Sequence, residues 1–142
     1  MKVLLVRLSS MGDLIHTLPA VEDLARICPQ VELHWLSEAG FADIARLHPF
    51  VRKVHVLRWR QWRKQLTQAD TWREISNLKQ ALRQERFDFV LDSQGLFKSA
   101  LFARVAAAPV KGLDAASARE AGASWFYQQK FAVQKGLDAV LR

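Results

Sequence analysis

The chain opens with a short apolar run, Val3 to Val6, cut by Arg7 and followed, after a polar loop, by apolar residues at helical spacing. That order constrains the fold more than any other feature. A nearly continuous Val/Leu run over residues 2–8 is what a parallel strand buried on both faces requires. The run is too short for a membrane span or a signal peptide, and neither is expected here. After the interruption Ser9-Ser10-Met11-Gly12-Asp13, residues Leu14, Leu18, Val21, Leu24 and Ala25 mark the apolar face of a helix. Asp13 suits the cap of that helix, because its carboxylate can accept from the unpaired N–H groups of the first turn. Pro19 is tolerated if the helix starts near Thr17 and kinks it otherwise.

The alternation continues. Pro29 ends the first helix, residues 31–36 read as a second strand, residues 39–47 as a short helix stopped by His48-Pro49, and residues 51–57 as a third strand. A longer helix is expected over 71–86, with Trp72, Ile75, Leu78 and Leu82 on its apolar face. A strand follows over 87–91, then a small-residue helix over 96–107, a weak strand over 109–113, and a last helix over 117–129. Strand, helix, strand repeated in this way predicts crossover units on an open, mostly parallel sheet, a Rossmann-like α/β domain. The tract from Ala132 to Arg142 has no clear structural destination, and a truncated protein is expected rather than a complete enzyme.

Charge narrows the ligand class. Lys and Arg number 21 against 14 Asp and Glu, a net charge of +7. A field of that sign favours anionic partners: nucleic acid, phosphorylated molecules or acidic headgroups. The positive charge is concentrated between Arg46 and Ala69, where no acidic residue occurs. Within that tract Arg60, Arg63 and Lys64 share a face if the segment is helical, and Arg and Lys match phosphate oxygens. A solvated basic surface with Trp59 or Trp62 turned inward is the plainer reading. Cys28 is the one cysteine, so neither an intrachain disulfide nor a cysteine metal cluster is possible. His16, His34, His48 and His55 lack paired metal-ligand spacing.

Two loops stand out, because open α/β sheets bind ligands beyond the carboxyl ends of their strands. The first is Ser9 to Asp13. Gly12 lets the backbone approach a ligand or adopt positive φ, and Asp13 could act as general base on a hydroxyl or serve only as a cap. A carboxylate here repels phosphate, which points to proton handling. The second is Asp92-Ser93-Gln94-Gly95, where Asp92 or Ser93 could cap the next helix, Gln94 could line the same crevice as Asp13, and Lys98 adds a charge. No G-x-G-x-x-G, P-loop or nucleophile-elbow motif is present.

The stretch from Val3 to Ala20, with its S-x-M-G-D loop, closely resembles the opening of the lipopolysaccharide heptosyltransferases of glycosyltransferase family 9, and the type I enzymes most. Trp62-Arg63-Lys64, Asp92 to Ala100, Ser117 to Ala121, and Trp125-Phe126-Tyr127 extend the resemblance over nearly the whole chain. The resemblance implies the amino-terminal, acceptor-side domain of a two-Rossmann-domain (GT-B) enzyme over residues 1–142, with the donor-binding domain absent. It implies inverting transfer of L-glycero-D-manno-heptose from ADP-heptose to the first Kdo of Kdo-lipid A, without metal or cofactor, at the cytoplasmic face of the inner membrane. Asp13 matches the base. Ser10, Gly12, Arg60, Arg63, Lys64, Gln94, Lys98 and Arg119 match acceptor-binding positions. The segment 134–142 lacks the histidine that members of the family usually carry there. A monomer without nucleic-acid partners is expected, inactive as a fragment. A type II heptosyltransferase and a basic nucleic-acid-binding domain are the competing readings.

Overall fold

The computed structural model describes residues 1–132, and the segment 133–142 lies outside the described residues. Among the described residues six strands form one sheet: β1 (Lys2–Val6), β2 (Glu32–Glu38), β3 (Val51–Leu57), β4 (Phe89–Asp92), β5 (Val110–Leu113) and β6 (Gln129–Phe131), in the order β3-β2-β1-β4-β5-β6. Every pairing is parallel. The expected Rossmann-like architecture therefore holds, with the chain reversing its direction across the sheet at β1.

Helices α1 (Met11–Ile27), α2 (Ala42–Ala45), α3 (Trp59–Trp62), α4 (Ala69–Gln84) and α5 (Phe97–Val105) connect the strands. Side chains alternate across the sheet, so β1 feeds two cores. Val3 and Leu5 pack with Leu33 and Trp35 against Leu14 and Val21 of α1 and Ala45 of α2. Leu4 and Val6 pack with Leu36 and Leu57 against Leu82 of α4 and Ala100 and Ala103 of α5. The small residues of α5 let that helix lie close to the strands. Trp35 is fully buried, and its indole N–H donates to the Arg7 carbonyl at 3.1 Å. Burying such a side chain contributes roughly 2–3 kcal/mol, and the hydrogen bond satisfies its one polar atom.

Several expectations are corrected. Of the two starts left open for helix α1, the structure has the earlier one, at Met11, so the helix runs through Pro19, which removes one internal hydrogen bond. Ser10 is its N-cap, and Asp13 sits three positions in, where its Oδ2 accepts the Ser10 N–H at 3.2 Å. Gly12 does not use positive φ; among the described glycines only Gly95 does, at +70°. Asp92 closes β4 instead of capping α5; there the N-cap is Leu96, whose N–H is met by Ser99 Oγ at 3.1 Å. Trp72 is 56% exposed, its N–H held by the Leu66 carbonyl instead of the core. The last helix is replaced by a 3-10 segment, Ala121–Phe126, and by β6. Glu120 is tied down on both sides, its N–H to the Gly95 carbonyl at 3.0 Å and its carboxylate to the Phe97 N–H at 2.6 Å. Those bonds draw the segment across α5 in place of a free helical register.

Candidate active site

The register Val6↔Asp92 sets the loops after β1 and β4 side by side at the carboxyl edge of the sheet. Gln94 locks them together. Its Oε1 accepts the Leu8 N–H at 2.7 Å in a buried setting, and its Nε2 faces Ser9 Oγ at 3.4 Å. Gln94 is held in turn by Asp92, which is 1% exposed. Asp92 Oδ1 accepts the N–H groups of Gln94 at 3.0 Å and Gly95 at 3.4 Å; Oδ2 accepts from Ser99 Oγ at 2.8 Å and from the Tyr127 hydroxyl. Burial pushes the Asp92 carboxyl up, against the pull of these donors, and the Tyr127 hydroxyl is pushed far up by burial and by the Asp92 charge. Asp92 therefore has its lone pairs committed to the scaffold.

Asp13 is the reverse case. Its side chain keeps 21% of its surface exposed, and two guanidiniums converge on Oδ1: Arg119 Nη2 at 3.1 Å and Arg7 Nη2 at 3.4 Å. Partial burial works to raise its pKa, but the Ser10 N–H and the two arginines outweigh burial and hold the carboxyl below the usual range. Arg7 is anchored from behind by a hydrogen bond to the Ser93 carbonyl. Burial lowers the Arg7 pKa, partly offset by Asp13. A cavity of about 560 Å³ opens beside this group, lined by the polar Asp13, His16, Gln94 and Arg119 and by apolar residues that include Leu5, Leu24, Phe89 and Leu91.

The sequence-selected residues divide into groups. Asp13, Gln94 and Arg119 line the cavity. Ser10 serves Asp13 through its N–H. Gly12 is exposed in the first turn of α1, where an added Cβ would meet nothing within 4 Å. Lys98 is half-buried in the first turn of α5. Arg60, Arg63 and Lys64 are exposed on the single turn of α3 and just after it, with Trp62 turned into the core. The link from α3 to the β1 loop was not anticipated. Glu38, 3% exposed at the end of β2, accepts the Arg60 N–H at 2.9 Å, and its own N–H donates to the Leu8 carbonyl at 3.1 Å. Glu38 thus fixes the basic turn against the β1 loop. Arg7 was likewise missed as a site residue; its signal is a cation that interrupts a buried strand directly before the loop.

Among the described residues one histidine-acid group has metal-binding proximity: His34, His55 and Glu85. Its ligand atoms already have partners. His34 Nδ1 lies 3.0 Å from His55 Nε2, and Glu85 pairs with Lys2 at 3.1 Å and Lys53 at 3.2 Å. The group packs near Lys2, at the opposite end of β1 from Arg7. It has no part in the edge cluster.

A parallel sheet reversing at β1, with an aspartate and converging cations at its carboxyl edge, defines a Rossmann-like α/β domain with a polar site where such sheets bind ligands. The family model described as glycosyltransferase family 9 (heptosyltransferase) matches residues 75–142. Lipopolysaccharide heptosyltransferase 1 of Pseudomonas aeruginosa is 48% identical over the whole chain, which covers 40% of that protein. Its Escherichia coli counterpart is 42% identical, again over the whole chain and 45% of the relative. The structure of E. coli heptosyltransferase WaaC with ADP superposes with a TM-score of 0.94 at 40% identity, covering 99% of this chain and 44% of that one. E. coli heptosyltransferase II shares the fold, with a TM-score of 0.69 at 20% identity. The chain is similar to glycosyltransferase family 9, and its likeness is to the amino-terminal domain of heptosyltransferase I. It spans less than half the length of the curated relatives it matches.

Proposed function

We infer that this chain is the acceptor-binding half of an enzyme that transfers L-glycero-D-manno-heptose from ADP-heptose to the first Kdo of Kdo-lipid A, with inversion and without a metal. The carrying observation is Asp13, a partly exposed carboxylate that lines the cavity, bracketed by Arg7 and Arg119. In the reaction, an Asp13 oxygen takes the proton of the acceptor hydroxyl. The freed oxygen bonds to the anomeric carbon from the face opposite the leaving group, and the C–O bond to the ADP phosphate breaks with its electron pair leaving on ADP. One base and a good leaving group suffice, and no enzyme nucleophile is needed.

The resting ion pairs keep Asp13 ionised but make it a weak base. The Arg119 side chain is 49% exposed, so an acceptor anion can reach it from solvent. Its exchange from Asp13 to an acceptor carboxylate or phosphate would raise the basicity of Asp13 as the acceptor docks. Arg60, Arg63 and Lys64 meet further acceptor anions, with Ser10, Gly12, Gln94 and Lys98 shaping the same edge. ADP-heptose is bound mainly by a second, carboxy-terminal domain. The enzyme works as a monomer, peripheral on the cytoplasmic face of the inner membrane. No helix among the described residues is long and apolar enough to cross a membrane.

The test is Asp13→Asn in the full-length enzyme, followed by ADP release at saturating donor and acceptor. Transfer should fall by roughly 10²–10⁴-fold, the worth of a positioned base, with folding intact by circular dichroism. Near-parental turnover would reduce Asp13 to a partner of the Ser10 N–H and move the search to another base.

A further inference from the structure

The outward face of α5 carries apolar side chains where water would ordinarily be met by charge. Phe97 and Leu101, one turn apart, are each 48% exposed, and Trp125 beside them on the 3-10 segment is 82% exposed. They belong to one surface. Phe97 stacks edge-on against Phe126 at 5.1 Å between ring centroids, and Arg104, a turn beyond Leu101, lies over the other side of that patch at 5.8 Å from the Phe126 ring. Helix α3 packs on α5 from another side, Trp59 lying against the half-buried Phe102 at 5.6 Å. The neighbouring carboxylate is engaged: Glu120 holds the Phe97 N–H at 2.6 Å.

We propose that the α5 stripe of Phe97, Leu101 and Trp125, with Arg104 at its edge, is the surface by which the protein settles on an anionic lipid bilayer. Aliphatic and aromatic side chains enter the headgroup boundary, where an indole is suited to a zone apolar at one end and wet at the other. Arg104 pairs with lipid phosphates, and a juxtaposed Arg adds to apolar insertion at such a surface. Neither component is large alone, and reversible, salt-sensitive attachment is the consequence. The inference rests on the reading that the acceptor is lipid-borne. It assigns to a particular face the attachment which that reading needs, beside the edge that holds Asp13.

The experiment is co-sedimentation of the chain with vesicles of phosphatidylethanolamine and phosphatidylglycerol, 3:1, and with phosphatidylcholine vesicles; both are free of acceptor, so the result does not depend on the role of Asp13. The parent should bind the anionic vesicles, weakly the zwitterionic ones, and release as salt screens Arg104. A Leu101→Ser/Trp125→Ser variant should bind about tenfold more weakly, and Arg104→Glu should lose the preference for phosphatidylglycerol. Leu101 and Trp125 are exposed, and circular dichroism checks that each variant keeps the fold. No binding by the parent, or equal binding by the serine variant, overturns the proposal. So does concentration-dependent dimerisation that the serine variant abolishes without any vesicle binding by the parent, which would assign the stripe to a second copy of the chain.

Discussion

Arg119 reaches back across 106 residues of sequence to place its Nη2 3.1 Å from Asp13 Oδ1, the same oxygen that Arg7 approaches to 3.4 Å. Two cations on one carboxylate oxygen keep the group ionised at neutral pH and make that oxygen the poorer proton acceptor. The relationship joins the loop after β1 to the segment after β5, so the edge cluster is complete only when the β5 crossover is in place.

Arg119→Gln should separate the two roles of this arginine. Removing the guanidinium removes a cause that holds the Asp13 pKa down, so the acidic limb of the pH–rate profile in the full-length enzyme should move to higher pH. Acceptor KM should rise about 10–100-fold, as expected for a lost hydrogen bond to a charged group, while donor KM stays near the parent's. An unchanged acid limb with an unchanged acceptor KM would limit Arg119 to surface pairing.

The basic turn gives a second kinetic signature. Replacing Arg60, Arg63 and Lys64 by Ala should weaken acceptor binding by about 1–3 kcal/mol for each charged contact, measured by calorimetry at moderate salt, with donor affinity intact. Arg60 calls for a control, since its backbone N–H, not its side chain, is what Glu38 holds. The Ala variant leaves that bond in place, so a loss of binding there reports the guanidinium itself.

Gly112 supplies a test of the scaffold. A Cβ at this position would lie 2.4 Å from Tyr127 Cε2, inside any tolerable contact. Gly112→Ala should push the ring away and break the hydroxyl's bond to Asp92, a buried acceptor. The combined overpacking and lost bond should cost about 3 kcal/mol in urea denaturation. Tyr127→Phe removes the bond without the clash and should cost about half as much. Equal stability of Gly112→Ala and parent would mean that the ring has room the structure does not show.

Much of this was legible in the chain because parallel strands announce themselves. The runs around Leu4, Leu33 and Val90 are buried on both sides and leave little room for polar residues, so their positions are plain. The Asp13 and Gln94 loops followed from strand ends alone. What escaped were contacts that only tertiary structure creates. Glu38 looks like an ordinary acid after a strand until Arg60 and Leu8 are brought to it, and Asp92 looks like a helix cap until Tyr127 arrives from 35 residues away. The expected helix over 117–129 failed because local helical pattern there competes with long-range bonds from Glu120 to Gly95 and Phe97, and the bonds prevail.

The buried histidine pair predicts how the domain responds to acid. His34 and His55 project from adjacent strands, 1% and 4% exposed, stacked with ring centroids 5.2 Å apart and walled by Phe87. Lys2 and Lys53 lie around them, with Glu32 on His34 and Glu85 between the lysines. Burial first, then the charges of His34 and Lys53, depress the His55 pKa from 6.5 to about 4. The folded state thus favours neutral His55, and the unfolded chain binds the extra proton. The stability that this contributes is fully present above pH 6.5 and is lost progressively as pH falls towards 4, by about 3 kcal/mol in total. Glu32 and Glu85 also have lowered pKa values, but their contribution disappears only below about pH 4.5, a separate window. Urea denaturation at intervals between pH 7.5 and pH 4 should show the parent weakening from about pH 6.5 downward. His55→Gln removes the titrating ring, keeps a hydrogen-bonding side chain beside His34, and should flatten that slope while lowering stability at pH 7. A parent and variant with parallel pH–stability curves across this window would show that His55 does not govern the acid response.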